Sequence, residues 1–159
     1  MRQVPIYTII GDGQMAMHLC SYFNFLSIPY QRWYRSGYSY DDLASILQQS
    51  SRVLVLITDS EIRGFIEEFL HPFPFLDVIH FSGSLLVPNT YWVHPLQTFA
   101  QKTPFSPSEY QRILFTLSES GPKFNELLPG LNNPYALIKD EEKPYYHALC
   151  VMASNYSTL

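Results

Sequence analysis

Hydrophobic positions along this chain follow two rhythms, and one gives way to the other several times. Ile6 to Ile10 is a short apolar run of strand length, and from Gln14 to Leu26 the residues Ala16, Leu19, Cys20, Phe23 and Leu26 recur at helical spacing. Tyr30 to Tyr34 reads as a second strand. Asp41 to Gln49 reads as a short helix, with Asp41 and Asp42 suited to its N-terminal turn. Val53 to Ile57 is apolar on both faces, as a central parallel strand covered by helices must be. Glu61 to Leu70 follows as a helix burying Ile62, Phe65, Ile66 and Phe69, with further strands at Asp77–Phe81, Tyr91–His94 and Ile113–Leu117. The segment from Tyr135 to Ser154 reads as helix, with Leu137, Ala148, Val151 and Met152 as apolar members. Strands that alternate with helices in this way predict a three-layer α/β domain with a mainly parallel sheet and a C-terminal helix.

The most specific chemical signal lies between the first strand and the first helix. Gly11-Asp12-Gly13-Gln14-Met15-Ala16 is a G-x-G-x-x-A turn in the context that gives the pattern meaning. Gly11 permits the tight turn, Gly13 lets backbone approach a pyrophosphate, and Ala16 lets helix and strand pack closely. The helix N–H groups then point at the phosphates, with Gly11, Asp12, Gly13, Gln14 and Met15 bordering them. This predicts a Rossmann-type NAD(P)-binding fold. The end of the second strand, Gln31-Arg32-Trp33-Tyr34-Arg35-Ser36-Gly37, lacks the carboxylate that usually holds the ribose hydroxyls of NAD. Arg35 and Ser36 suit a 2′-phosphate instead, so the cofactor expected is NADP(H), while Arg32 falls too early and is expected to point away. The same feature disfavours an S-adenosylmethionine or flavin site.

Composition narrows the class. With 159 residues, 47% apolar and 15% charged, the chain can build one full core. A net charge of −4 excludes a general nucleic-acid binder, though not a local anion site. Cys20 and Cys150 form neither a metal cluster nor a disulfide framework, which fits a reducing, cytoplasmic setting. Met1 to Pro5 leads straight into the first strand without the features of a signal peptide, and no apolar run approaches membrane-spanning length, so no membrane partner is expected. No His/Cys/Asp/Glu spacing suggests a metal, and no serine stands in a nucleophile elbow.

Ligands of such folds sit outside the carboxyl ends of the strands. Thr58 and Asp59 are therefore candidates for the nicotinamide ribose, although Asp59 and Ser60 could equally cap the helix that follows. Ser82 is a candidate for the nicotinamide edge. His94 ends an apolar strand, where it could polarise or protonate a carbonyl or imine, or hold a loop. His18, His71 and His80 read as structural or solvent-facing. Lys143, His147 and Asn155 could share one side of a helix, a polar stripe of the kind usually solvated.

Ile9 to Ala16, the Arg35-Ser36 pair, Phe81-Ser82-Gly83 and above all His94-Pro95-Leu96-Gln97-Thr98-Phe99-Ala100 resemble a Rossmann-like, NADP-dependent oxidoreductase family. That family is allied to pyrroline-carboxylate reductase, ketopantoate reductase and the phosphogluconate/β-hydroxyacid dehydrogenases. The segment from Tyr145-Tyr146-His147-Ala148-Leu149 through Ala153-Ser154-Asn155-Tyr156 resembles the start of the helical domain that its members carry next. The resemblance implies a nucleotide domain over residues 1–133, the start of a truncated dimerisation and substrate domain over 134–159, and a homodimer formed through C-terminal helices. It also implies reduction of a small, unidentified carbonyl or imine substrate, with His94 and Asn155 as catalytic candidates. In the β-hydroxyacid dehydrogenases the catalytic Lys and Asn lie one helical turn apart, whereas Lys143 and Asn155 are twelve residues apart. That departure keeps a second expectation open, a non-catalytic module that binds or senses NADP(H) and acts through a protein partner.

Overall fold

The computed structural model describes residues 6–156. Met1 to Pro5 and Ser157 to Leu159, on which the readings of the two chain ends partly rest, lie outside the described residues. The order is β1 (Tyr7–Ile10), α1 (Gln14–Phe25), β2 (Tyr30–Trp33), α2 (Tyr40–Gln49), β3 (Arg52–Val55), α3 (Asp59–Phe65), β4 (Asp77–His80), β5 (Tyr91–Pro95), α4 (Pro107–Arg112), β6 (Phe115–Ser118), α5 (Phe124–Leu127), β7 (Tyr135–Ile138) and α6 (Lys143–Tyr156). A π-turn over Ile66–Leu70 extends α3, and a 3-10 turn over Asp140–Glu142 precedes α6.

All seven strands form one sheet, in the order β2-β1-β3-β4-β5-β6-β7. β1 to β5 are mutually parallel, β6 runs antiparallel to β5, and β7 parallels β6. This is the α/β Rossmann-type architecture predicted above. β2 and β3 flank β1 on opposite sides, so the chain order reverses at β1 and a crevice opens above its carboxyl end. Register keeps that edge level, because Ile10 lies opposite both Trp33 and Val55.

Alternation along the strands divides the interior into two cores. Tyr7, Ile9, Leu54, Ile79, Val93 and Leu117 face one side and pack with Ala16, Leu19 and Phe23 of α1. Ile10, Trp33, Val53, Val55 and Val78 face the other and pack with Leu43 and Leu47 of α2 and with Ile62 and Phe65 of α3. Removing this apolar surface from water at about 25 cal/mol per Å² is the main force that fixes the layers.

Besides the short α5, which the sequence reading does not include, two regions differ from it. α4 was not expected, yet its start carries a capping box in which Ser106 Oγ accepts from the Glu109 N–H, with Pro107 in the first turn. The stretch read as helix from Tyr135 is first a strand, β7, paired with β6 from Phe115↔Tyr135 to Ser118↔Ile138. Leu137 therefore belongs to an exposed edge strand and not to a helix. The helix begins only at Lys143, with Pro144 in its first turn, a start signal that the apolar pattern alone passes over.

Candidate functional site

The turn between β1 and α1 is shaped by close packing. Gly11 has φ +131°, and a Cβ there would lie 2.2 Å from the Leu56 carbonyl oxygen, so this position requires glycine. Its N–H donates to the Trp33 carbonyl at 2.9 Å, tying the turn to β2. At Gly13 the backbone is ordinary, φ −70°, and a Cβ would meet nothing within 4 Å. Gly13 therefore faces open space at the start of α1. That helix start carries no capping side chain and no acidic residue in its first turn, in contrast to the capping boxes of α2 and α4. Its N–H groups and positive dipole end are left available to an anion. Gln14 Oε1 is buried beside them without a hydrogen-bond partner.

A cleft of about 690 Å³ opens above this turn. Gly11, Asp12, Gly13, Gln14, Met15, Arg35, Ser36, Thr58, Asp59 and Ser82, the ten positions named from the sequence for a cofactor, all border it. At one end Arg35 Nη1 pairs with Glu61 Oε1 at 3.3 Å, and the Ser36 hydroxyl donates to Asp12 Oδ2 at 3.2 Å. The structure thus brings two carboxylates to a strand end whose local sequence has none, because Asp12 and Glu61 arrive from other turns. Arg32, expected to point away, reaches under the glycine turn, where Nη2 donates to the Gly11 carbonyl at 3.3 Å and meets Met17 Sδ at 3.2 Å. It braces the turn from behind and does not border the cleft.

At the other end Asp59 does not cap α3, which starts without a side-chain cap. Its carboxylate instead accepts from the Ser82 hydroxyl at 2.6 Å and the Ser84 hydroxyl at 3.3 Å, bridging the loops after β3 and β4. Behind Ser82 lies a buried polar layer between the sheet and α6. Lys143, expected in a solvated stripe, is fully buried; its ammonium donates to the Leu85 carbonyl and lies 3.9 Å from the Trp92 ring centroid. Burial pulls its pKa down to about 7 against the opposing pull of Asp140 and Asp59. His80 is also buried, with neither ring nitrogen partnered. Burial, reinforced by Lys143, lowers its pKa to about 3, with Asp59 opposing.

His94 lies beside this layer. The Thr116 hydroxyl donates to Tyr146 Oη at 2.8 Å, and Tyr146 Oη meets His94 Nδ1 at 2.6 Å. Thr116 Oγ1 also lies 3.2 Å from the His94 carbonyl, so Thr116 and Tyr146 together hold both the ring and the backbone of His94 in one network. Nε2 and His147 Nδ1 both press on Gly83, lying 2.9 and 2.8 Å from where a Cβ would stand. Burial first, then His147 and Lys143, lower the His94 pKa to about 4, with Asp59 opposing, so the ring is neutral at physiological pH. His18 is structural: it is buried, with ring nitrogens 2.8 Å from Tyr110 Oη and 2.6 Å from the Gln101 carbonyl. Asn155 is exposed on α6 and lies about 12 Å farther along the helix axis than His147, at about 1.5 Å per residue. The structure does not bring it to His94.

No family model and no curated protein matches this sequence. Solved structures do match its fold. A protein from Thermotoga maritima is 21% identical with a TM-score of 0.64, covering 96% of this chain and 65% of its own. A Plasmodium falciparum pyrroline carboxylate reductase with NADP bound is 11% identical with a TM-score of 0.63, covering 97% of this chain and 65% of its own. A reductive aminase from Aspergillus terreus in complex with NADPH and ethyl levulinate is 12% identical with a TM-score of 0.61, covering 97% and 62%. The chain therefore spans less than two thirds of the length of these proteins. No described helix is long and apolar enough to cross a membrane. At these identities the likeness is one of fold, and the fold is that of Rossmann-type reductases.

Proposed function

We propose that this chain is the NADP(H)-binding part of an oxidoreductase that reduces a small carbonyl or imine. One observation carries the reading: a single cleft joins an uncapped helix start, a glycine turn with open space before it, and the Arg35-Ser36 pair. The α1 N–H groups would hold the pyrophosphate, and Arg35 and Ser36 the 2′-phosphate. Thr58 and Asp59 would line the nicotinamide ribose, with Ser82 at the nicotinamide edge. When bound, the cofactor supplies the hydride. Two solved structures of this fold, the pyrroline carboxylate reductase and the reductive aminase, are described with NADP or NADPH.

His94 takes the role of a neutral hydrogen-bond donor. A ring whose pKa lies near 4 carries no surplus proton to give at neutral pH, so it polarises a carbonyl or imine through Nε2–H, and water or another group delivers the proton. The Thr116–Tyr146 chain holds the ring in position for this role. The junction with a helical dimerisation and substrate domain, expected at residue 133, is better drawn after β7 in this reading, since β7 pairs with β6 through Ile138. α6 exposes Tyr145, Leu149, Val151 and Met152, which suits pairing of two copies through their C-terminal helices. Asn155 lies on that helix and is a catalytic candidate only for a site completed by the second domain.

One observation favours the second reading, a non-catalytic NADP(H)-sensing module acting through a protein partner. Neither Lys143 nor His94 borders the cleft, and Lys143 is fully buried and tied to the Leu85 carbonyl. NADPH oxidation by the full-length protein with a panel of keto and imino acids separates the two. Turnover that falls at least tenfold in His94→Phe with unchanged NADPH affinity supports the reductase. Tight NADPH binding with no turnover across the panel supports the sensor.

A further inference from the structure

We infer that Glu61 is a cofactor-specificity residue, a counter-ion that occupies Arg35 until a 2′-phosphate displaces it. The inference deepens the NADP(H) reading above and rests on it. Arg35 stands on the loop after β2 and Glu61 in the first turn of α3, and both border the cleft, so their ion pair at 3.3 Å spans its adenosine end. Tyr40 and Glu61 together hold the guanidinium and raise its pKa. Ser36, the other group suited to a 2′-phosphate, gives its proton to Asp12. Both groups that would recognise the phosphate are thus turned to carboxylates of the same cleft.

The charge balance sharpens the point. Arg35 is the one cation bordering the cleft among the described residues, against Asp12, Asp59 and Glu61. A 2′-phosphate brings further negative charge to this end, whereas ribose hydroxyls are groups that a carboxylate binds well. Arg35 and Glu61 therefore pull in opposite directions: the arginine favours the phosphorylated dinucleotide and the glutamate the unphosphorylated one. The pair is exposed, with 63% and 47% of the side-chain surfaces open, so it holds Arg35 weakly and a forked arginine–phosphate contact can replace it. The repulsion that remains between Glu61 and the phosphate, screened by water and salt, amounts to about three- to tenfold in affinity.

The test is titration of the whole chain with NADPH and with NADH, read by nicotinamide fluorescence, for the native protein, Glu61→Gln, Arg35→Gln and the double variant. Glu61→Gln is expected to tighten NADPH by about three- to tenfold and to leave NADH unchanged or weaker, with the gain shrinking at high salt. The gain should vanish when Arg35 is also replaced. A NADPH-to-NADH ratio in Glu61→Gln within twofold of the native value overturns the inference. Weaker NADPH binding in that variant overturns it too, because Glu61 would then orient Arg35 rather than compete for it. Binding of neither nucleotide by the native chain overturns the NADP(H) reading itself, a result distinct from an unaltered ratio.

Discussion

The two polar regions at the carboxyl edge of the sheet are built in opposite ways. Around the glycine turn the polar groups are exposed, and the structure is held by backbone geometry: Gly11 against Leu56, an uncapped α1, and Arg32 bracing from behind. Beneath α6 the polar groups are buried and the structure is held by side chains: Lys143 on Leu85 and Trp92, Tyr146 on His94, and two imidazoles against Gly83. The first region leaves the backbone donors of the α1 start available to a ligand and holds its side-chain donors, Arg35 and Ser36, only in exposed contacts with Glu61 and Asp12. The second uses most of its donors internally, holds His80 and His94 neutral and pulls the Lys143 pKa down to about 7. Substitutions should accordingly act on binding in one region and on pH-dependent stability in the other.

The largest contrast should come from the two glycines of the turn. Gly11→Ala combines a positive φ with a backbone collision and should cost about 4 kcal/mol or more in urea unfolding. Gly13→Ala should cost about 1 kcal/mol or less, because its Cβ enters open space, yet weaken NADPH at least tenfold. Equal losses of stability would mean that the turn is a packing feature and not a binding one.

Next in size is the alkaline behaviour of the buried layer. An unfolded lysine keeps its proton to about pH 10.5, whereas Lys143 in the fold releases it near 7. Between those values the unfolded chain binds more protons, so stability should rise with pH. The gain is about 2.3 kcal/mol from pH 7 to pH 9. Lys143→Met should flatten that rise in unfolding curves measured across the range; an unchanged slope would place the ammonium in water.

On the acid side His80 has a folded pKa near 3 against 6.5 unfolded, so its share of stability is lost as pH falls from 6.5. At pH 5 His80→Leu should therefore be more stable, relative to the native chain, by about 2 kcal/mol than it is at pH 8. An identical difference at the two pH values would show that the fold leaves the His80 pKa where it stands in the unfolded chain. In the buried layer the smallest effect is expected at Gly83→Ala, about 1–2 kcal/mol, as the His94 and His147 rings shift away from the new methyl group. The same variant should lower NADPH turnover more than NADPH binding if His94 is the polarising group.

What the sequence made legible follows the same division. Strand and helix rhythm, the glycine turn and the residues after β1, β2 and β3 are set by neighbours in the chain, and the turn and those strand-end residues border one cleft. The Asp12–Ser36 and Arg35–Glu61 contacts were not legible, since they join residues 24 and 26 positions apart. Lys143 was read as solvated because its helical spacing says nothing of which face α6 buries, and only the docking of that helix on Trp92 decides it. β7 was missed because four apolar residues before a helix share its pattern, and pairing with β6 supplies what periodicity cannot.

The central claim is that the cleft above the glycine turn is an NADP(H) site, and fluorescence titration of NADPH into the native chain, Gly13→Ala and Arg35→Ala tests it most directly. Saturable binding that weakens at least tenfold in each variant, with folding intact by circular dichroism, is the result predicted. No binding to the native chain, or binding that neither substitution alters, would contradict it.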